Sequence, residues 1–228
     1  MFRTRAAALF VALIGVFTFV QPATAAQFII TETQFKNMFP SRNSFYTYGG
    51  LKSAMATFGS FANQGSDTVK KQELAAFLAN VSHETGGLYY IREINQNGDY
   101  CDETRPYGCP SPQKYYGRGP IQLSWNFNYK AAGDYLGVNL LGTPELVATN
   151  ATISWRTAIW YWMTQNGPGT MTPHNAMVNS RGFGQTIRSI NGSLECGGRN
   201  PGAVESRVSK YRQFTGIIGV AQGGNLYC

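Results

Sequence analysis

The sequence predicts a mainly α-helical domain with a minor β element. Residues 68–84, 126–136, 152–165 and 203–214 place apolar side chains three and four apart, the repeat of a helix face. Glycine and proline clusters, "TGG", "NGPGTMTP" and "GGRNPG", punctuate the helical segments. Strand-like stretches are few and short, and "LYYIREI" at 88–94 is the best case for the minor β element.

Residues 1–25 join Arg3 and Arg5 to an apolar run and then to the small residues Ala23, Thr24 and Ala25, the pattern of a cleaved secretion signal. The run is short for a spanning helix and ends on Gln21-Pro22. The protein is therefore expected to be extracellular, with residues 26–228 as one domain, since no repeat or linker divides them. In the segment 68–84, Leu74, Phe77, Leu78 and Val81 fall on one face. Glu73 stands beside Lys70 and Lys71 and reads as a solvated charge. In 152–165, Trp155, Ile159, Trp160, Trp162 and Met163 cover most of the circumference, which predicts a central buried helix.

The formal net charge is +7, but the lysines and arginines are dispersed, so no nucleic-acid surface is expected. No segment after the leader could span a membrane. Four cysteines in an exported chain point to disulfides, with three pairings open. Cys101 with Cys109 is favoured because "DETRPYG" can turn; Cys196 with Cys228 would then tie down the C-terminus. Metal-ligand spacing is missing, because no C-x-x-C occurs and His83 and His174 lie far apart, so neither metal nor cofactor is expected.

Continuing the spacing of the 68–84 face by three reaches Glu84, just before Gly86 and Gly87, which can end a helix in the left-handed conformation. A carboxyl at the end of an apolar stripe, in the last helical turn, is driven toward its neutral form by desolvation and the helix dipole. A general acid needs that form. An extended reading of 88–94 sends Glu93 to the face opposite Arg92. Two carboxyls flanking a glycosidic bond can hydrolyse it with inversion or retention, depending on their separation, and a nine-residue spacing through a turn allows both. Asp102 and Glu103 read as turn residues. "HETGG" lacks the second histidine of a zinc-protease helix, since Gly87 stands there, and no G-x-S-x-G occurs; His174 follows Pro173 in a loop-like stretch.

The segments "FLANVSHETGGLYYIREINQNGDYCDE", "KYYGRGPIQLSWNFNYKAAGDYLG", "GPGTMTPHNAMV" and "RSINGSLECGG" closely resemble the catalytic domain of family 19 glycoside hydrolases, in particular secreted streptomycete-type chitinases. The resemblance runs from about Phe28 to Cys228. It implies a lysozyme-like, two-lobed fold with a long substrate cleft and inverting endo-hydrolysis of chitin and chitooligosaccharides. Glu84 would be the acid and Glu93 the base. Ser124 would help hold the attacking water, unless it caps the helix beginning near Asn126. Gln122, Asn128 and Asn191 would bind acetamido sugars, and Trp125 and Tyr116 offer stacking faces. Glu195 and Arg207 would form an ion pair near the acid, where His83 also stands; the plainer reading of that pair is a surface bridge. No separate chitin-binding module is expected, and the chain is expected to be a monomer. A muramidase and a non-catalytic chitin-binding protein are the competing readings, and attack on fungal walls or nutrition are the expected roles.

Overall fold

The computed structural model describes residues 29–228; the expected signal peptide at 1–25 lies outside the described residues. Nine helices occur among them: α1 Glu32–Met38, α2 Tyr48–Met55, α3 Asp67–Thr85, α4 Asn126–Leu136, α5 Leu146–Thr149, α6 Ala151–Thr164, α7 Pro173–Val178, α8 Phe183–Glu195 and α9 Pro201–Ile218. None is long and apolar enough to cross a membrane.

Local chemistry sets the boundaries. Thr31, Ser66, Asn150, Thr172 and Asn200 each cap a helix by accepting a backbone N–H. Pro173 and Pro201 occupy the first turns of α7 and α9, where no N–H is missed. Both helices consequently begin inside clusters that the sequence reading treats as separators. His174 is thus helical, and α9 is longer than 203–214.

Helix α3 is buried around its whole circumference from Glu73 to Ser82 rather than along one stripe. Its alanines at 75, 76 and 79 let neighbouring backbones approach, and α9 packs along it. Helix α6 is the second core helix, as predicted. Trp155 meets Phe35, Tyr46 and Phe77 with ring centroids 5.8–6.4 Å apart, and Trp162 meets Phe77 edge-on at 5.5 Å. Glu73 corrects the sequence reading: its carboxylate is fully buried and accepts from Ala62 N, Trp162 Nε1 and, at 2.6 Å, His174 Nδ1. Lys70 and Lys71 mark a polar side locally, but the partners that enclose Glu73 arrive from α6 and α7.

The expected strand at 88–94 does not form. Tyr89 and Tyr90 both donate their N–H to Thr85 O in a turn after α3, and Leu88 has a positive φ of 63°. The β content among the described residues is two isolated antiparallel bridges, Arg92 with Arg118 and Arg118 with Leu123. Residues 86–125 therefore form a helix-free segment between α3 and α4. The disulfide Cys101–Cys109 closes a loop within it, and Cys196–Cys228 fastens the C-terminal tail to the end of α8, with Cα atoms 6.1 and 5.1 Å apart respectively. These are the pairings the sequence favours.

Candidate active site

The end of α3, the helix-free segment and one face of α8 enclose a cavity of about 470 Å³, open to solvent. Glu84, Glu93, Gln122, Ser124, Trp125, Asn128 and Asn191 all line it. A second cavity of about 730 Å³ shares Trp125, Asn128, Tyr161, Ile190 and Asn191 with the first, so the two form one extended groove. Its walls carry more hydroxyl, amide and carboxyl groups than a closed apolar pocket would.

Gly86, at φ 60°, stops α3 one residue after Thr85, which leaves Glu84 in the final turn. Its Oε1 accepts from Arg207 Nη2 at 2.5 Å. Arg207 is fully buried on α9 and is shared: it donates to Glu195 Oε1 and Oε2 at 2.7 and 2.8 Å and to Asn80 Oδ1 at 3.1 Å. The pair is therefore no surface bridge but an internal junction joining α3, α8 and α9. Burial alone would raise the Glu195 carboxyl, but the hydrogen bond and charge of Arg207 outweigh it and hold the group below its usual range. Burial likewise works against the Arg207 cation, yet Glu84 and Glu195 keep it charged. His83 faces the same junction, with Nδ1 3.0 Å from Ser206 Oγ and Nε2 4.0 Å from Glu195 Oε1. Burial, then Arg207, push its imidazole toward neutrality, against the pull of Glu84 and Glu195.

Glu93 has different company. Its Oε1 accepts from the Tyr100 hydroxyl at 2.5 Å and its Oε2 from Gly117 N at 2.9 Å. The bond to Glu93, then burial, then the carboxylate charge push the Tyr100 hydroxyl up to about 12, so it stays a donor at neutral pH. A Cβ on Gly117 would lie 2.9 Å from Gln122 Oε1, so a larger residue there would displace the Gln122 amide from its place in the cavity. Ser124 does not cap α4, whose N-cap is Trp125 without a side-chain bond; its hydroxyl donates to Gln122 O at 2.9 Å. Asn128 Nδ2 donates to Ser124 O, and Asn191 Nδ2 to Glu195 Oε1 at 2.8 Å. Asn191 itself has non-helical φ and ψ, which kink α8 at the groove.

Tyr116 is a correction. It is buried, lines neither cavity, and its ring is covered by the Arg118 guanidinium at 3.8 Å, so it offers no face to a sugar. Trp125 does: it is 42 % exposed, lies edge-on to Tyr100 at 5.5 Å and stacks on Phe127 at 5.9 Å. Lining residues that the sequence reading missed include Tyr100, Tyr161, Ile190 and Leu194. Tyr161 sits in a helix legible only as core, and its hydroxyl bonds Ser189 O while burial, then Glu84, push it up to about 12. Tyr100, Gln122 and Trp125 share a further property: all three are non-glycine residues with positive φ, at 53°, 50° and 74°. None of the described residues form a metal-binding cluster.

A groove walled by amides, hydroxyls and an exposed indole, with one carboxyl on a charged junction and another on neutral donors, defines a carbohydrate-cleaving enzyme. The chain belongs to glycoside hydrolase family 19: the family described as chitinase class I matches residues 29–228. Chitinase C from Streptomyces griseus HUT6037 superposes with a TM-score of 0.88 at 61 % identity, covering 90 % of this chain and all of that one. A class IV chitinase from Zea mays gives 0.80 at 40 %, covering 88 % and 98 %. Chitinase 4 from Oryza sativa subsp. japonica is 47 % identical over 88 % of this chain and 70 % of its own length. The helical architecture is thus the lysozyme-like fold of this family, and the protein is a glycoside hydrolase.

Proposed function

We propose that the protein is a secreted, endo-acting chitinase that cleaves β-1,4 bonds between N-acetylglucosamine units with inversion, Glu84 serving as general acid and Glu93 as general base. Family membership supports the substrate, chitin and its oligosaccharides. The observation that carries the roles is the contrast between the two carboxyls lining one cavity. Glu84 shares the Arg207 guanidinium with Glu195, and this junction fixes its carboxyl at the end of α3 facing the cavity. As general acid, Glu84 delivers a proton to the leaving sugar oxygen. Glu93 accepts its two hydrogen bonds from neutral donors, the Tyr100 hydroxyl and Gly117 N, and keeps lone pairs to take a proton from water. Ser124 lines the same cavity as Glu93, and its hydroxyl, which donates to Gln122 O, keeps lone pairs to accept from the attacking water.

Asn128, Asn191 and Gln122 present donors and acceptors to acetamido groups, and Trp125 an apolar face to a pyranose ring. A groove extended over two adjoining cavities suits binding within a polymer, which supports endo action. Export is supported by the signal pattern at 1–25 and by the pairing of all four cysteines. Action as a monomer is part of the same reading.

Time-resolved NMR of the anomeric protons released from chitin hexasaccharide tests the proposal. Initial α-anomer is expected. Initial β-anomer would overturn the inverting mechanism and the role of Glu93; absence of cleavage, with clearing of bacterial walls instead, would move the substrate to peptidoglycan.

A further inference from the structure

The backbone holding Glu93 contains an electrostatic conflict. Arg92 and Arg118 face each other in an antiparallel bridge in which Glu93 N donates to Gly117 O and Gly119 N to Ile91 O, both at 2.8 Å. Those bonds flank the two arginines and make them a non-hydrogen-bonded pair, the arrangement that brings opposed side chains closest. Like charges directly opposite destabilise such a pairing. On the other side of the same two segments stand Glu93 and Gly117, whose free N–H holds Glu93 Oε2.

One carboxylate resolves the conflict. Glu145, just before α5, accepts from Arg92 Nε at 2.7 Å and from its Nη2 on Oε1, and from Arg118 Nε at 3.0 Å on Oε2. Arg118 is buried, its Nη1 donating to Lys114 O, Tyr116 O and Tyr129 Oη, so it cannot swing away. We infer that Glu145, which lines neither cavity of the groove, is a positioning residue for Glu93: by neutralising the opposed arginines it keeps the bridge closed and fixes Gly117 N against the catalytic carboxylate. This inference rests on Glu93 being the base. The sugar never touches Glu145, so its loss acts on the chemical step rather than on binding.

The experiment measures kcat and KM on soluble chitin hexasaccharide for the full-length parent, E145Q, R92Q/E145Q and E93Q, each corrected for folded fraction by circular dichroism. E145Q keeps the size and removes the charge, and kcat should fall about 10- to 100-fold, the loss typical of a slightly misplaced group, with KM within about threefold. R92Q/E145Q removes the repulsion as well and should recover at least about tenfold in kcat, a rescue that a merely structural role of Glu145 would not give. E145Q within about twofold of the parent, or no rescue in the double variant, overturns the inference. Should E145Q fail to fold, R92Q/E145Q alone decides: folded protein with kcat more than about 100-fold below the parent refutes the repulsion account, and a smaller loss supports it. E93Q separates the two readings. If E93Q is inactive and E145Q is normal, the clamp alone fails; if E93Q stays active, the base assignment fails and takes the clamp with it.

Discussion

Replacing Arg207 with Met keeps an unbranched apolar stem, stops it short of the guanidinium carbon and removes the charge. The guanidinium is 0 % exposed and makes four hydrogen bonds, to Glu84, both oxygens of Glu195, and Asn80. Taking one partner out of a buried ion pair costs about 3–5 kcal/mol, because the remaining charge is left uncompensated. For a domain of this size each kcal/mol is worth about 2–4 °C in Tm, so the melting point should fall by roughly 6–20 °C. The loss should depend on pH. Glu195 has a folded-state pKa held below the reference value of 4.5, so in the parent its ionised form contributes stability above that value, and the contribution is lost as pH falls through the folded pKa. In Arg207→Met burial remains without the guanidinium, and the carboxyl can escape by taking a proton. The parent-minus-variant gap should thus be widest at pH 7 and narrow below about pH 4.5. Urea unfolding followed by fluorescence of the buried Trp155 and Trp162 measures it. A gap under about 1 kcal/mol at pH 7, or one that widens toward acid, would refute the account of the junction.

Glu84→Gln preserves shape and hydrogen-bonding reach but cannot deliver a proton, and kcat on chitin hexasaccharide should drop at least ~10²-fold while oligomer binding survives; Ser124→Ala should lose less, and near-normal Glu84→Gln activity would show that the acid lies elsewhere. Glu73→Ala orphans the donors Ala62 N, Trp162 Nε1 and His174 Nδ1, at about 1–3 kcal/mol for each buried group left unpaired. Calorimetry should accordingly find a Tm lower by at least about 6 °C, with kcat per folded molecule unchanged, because this cluster lines neither cavity of the groove.

Helices α3, α4, α6 and α9 and the end of α3 are legible because their signals are local, apolar spacing and the glycines that stop Glu84 in its turn, whereas α1, α2, α5, α7 and α8 correspond to no segment that the sequence reading assigns. Glu73 was misread because adjacent lysines are visible in sequence, whereas its enclosing partners lie 89 and 101 residues away. The alternation in "LYYIREI" carried no strand, since Tyr89 and Tyr90 bond back to Thr85 and only Arg92 finds a bridging partner. Glu84 was found from patterning, but its junction with Arg207 and Glu195 depends on how α8 and α9 pack, and there the family resemblance supplied what spacing could not. Tyr116 shows the opposite limit: aromatic and near the motif, it is consumed by Arg118.

The positive φ angles of Tyr100, Gln122 and Trp125 bear on how such an enzyme can be improved. Non-glycine residues in that conformation cost about 1–3 kcal/mol each. Glycine at any of the three would relieve the backbone and remove the phenol, amide or indole that faces the groove. A laboratory selection for heat tolerance alone would therefore accept glycine at these three positions as readily as at Ala62, Leu88, Ser180 or Asn225 outside the groove, trading turnover for robustness wherever it reached the groove wall. A selection that screens for hydrolysis at every round should gather its gains elsewhere and leave these three positions unchanged.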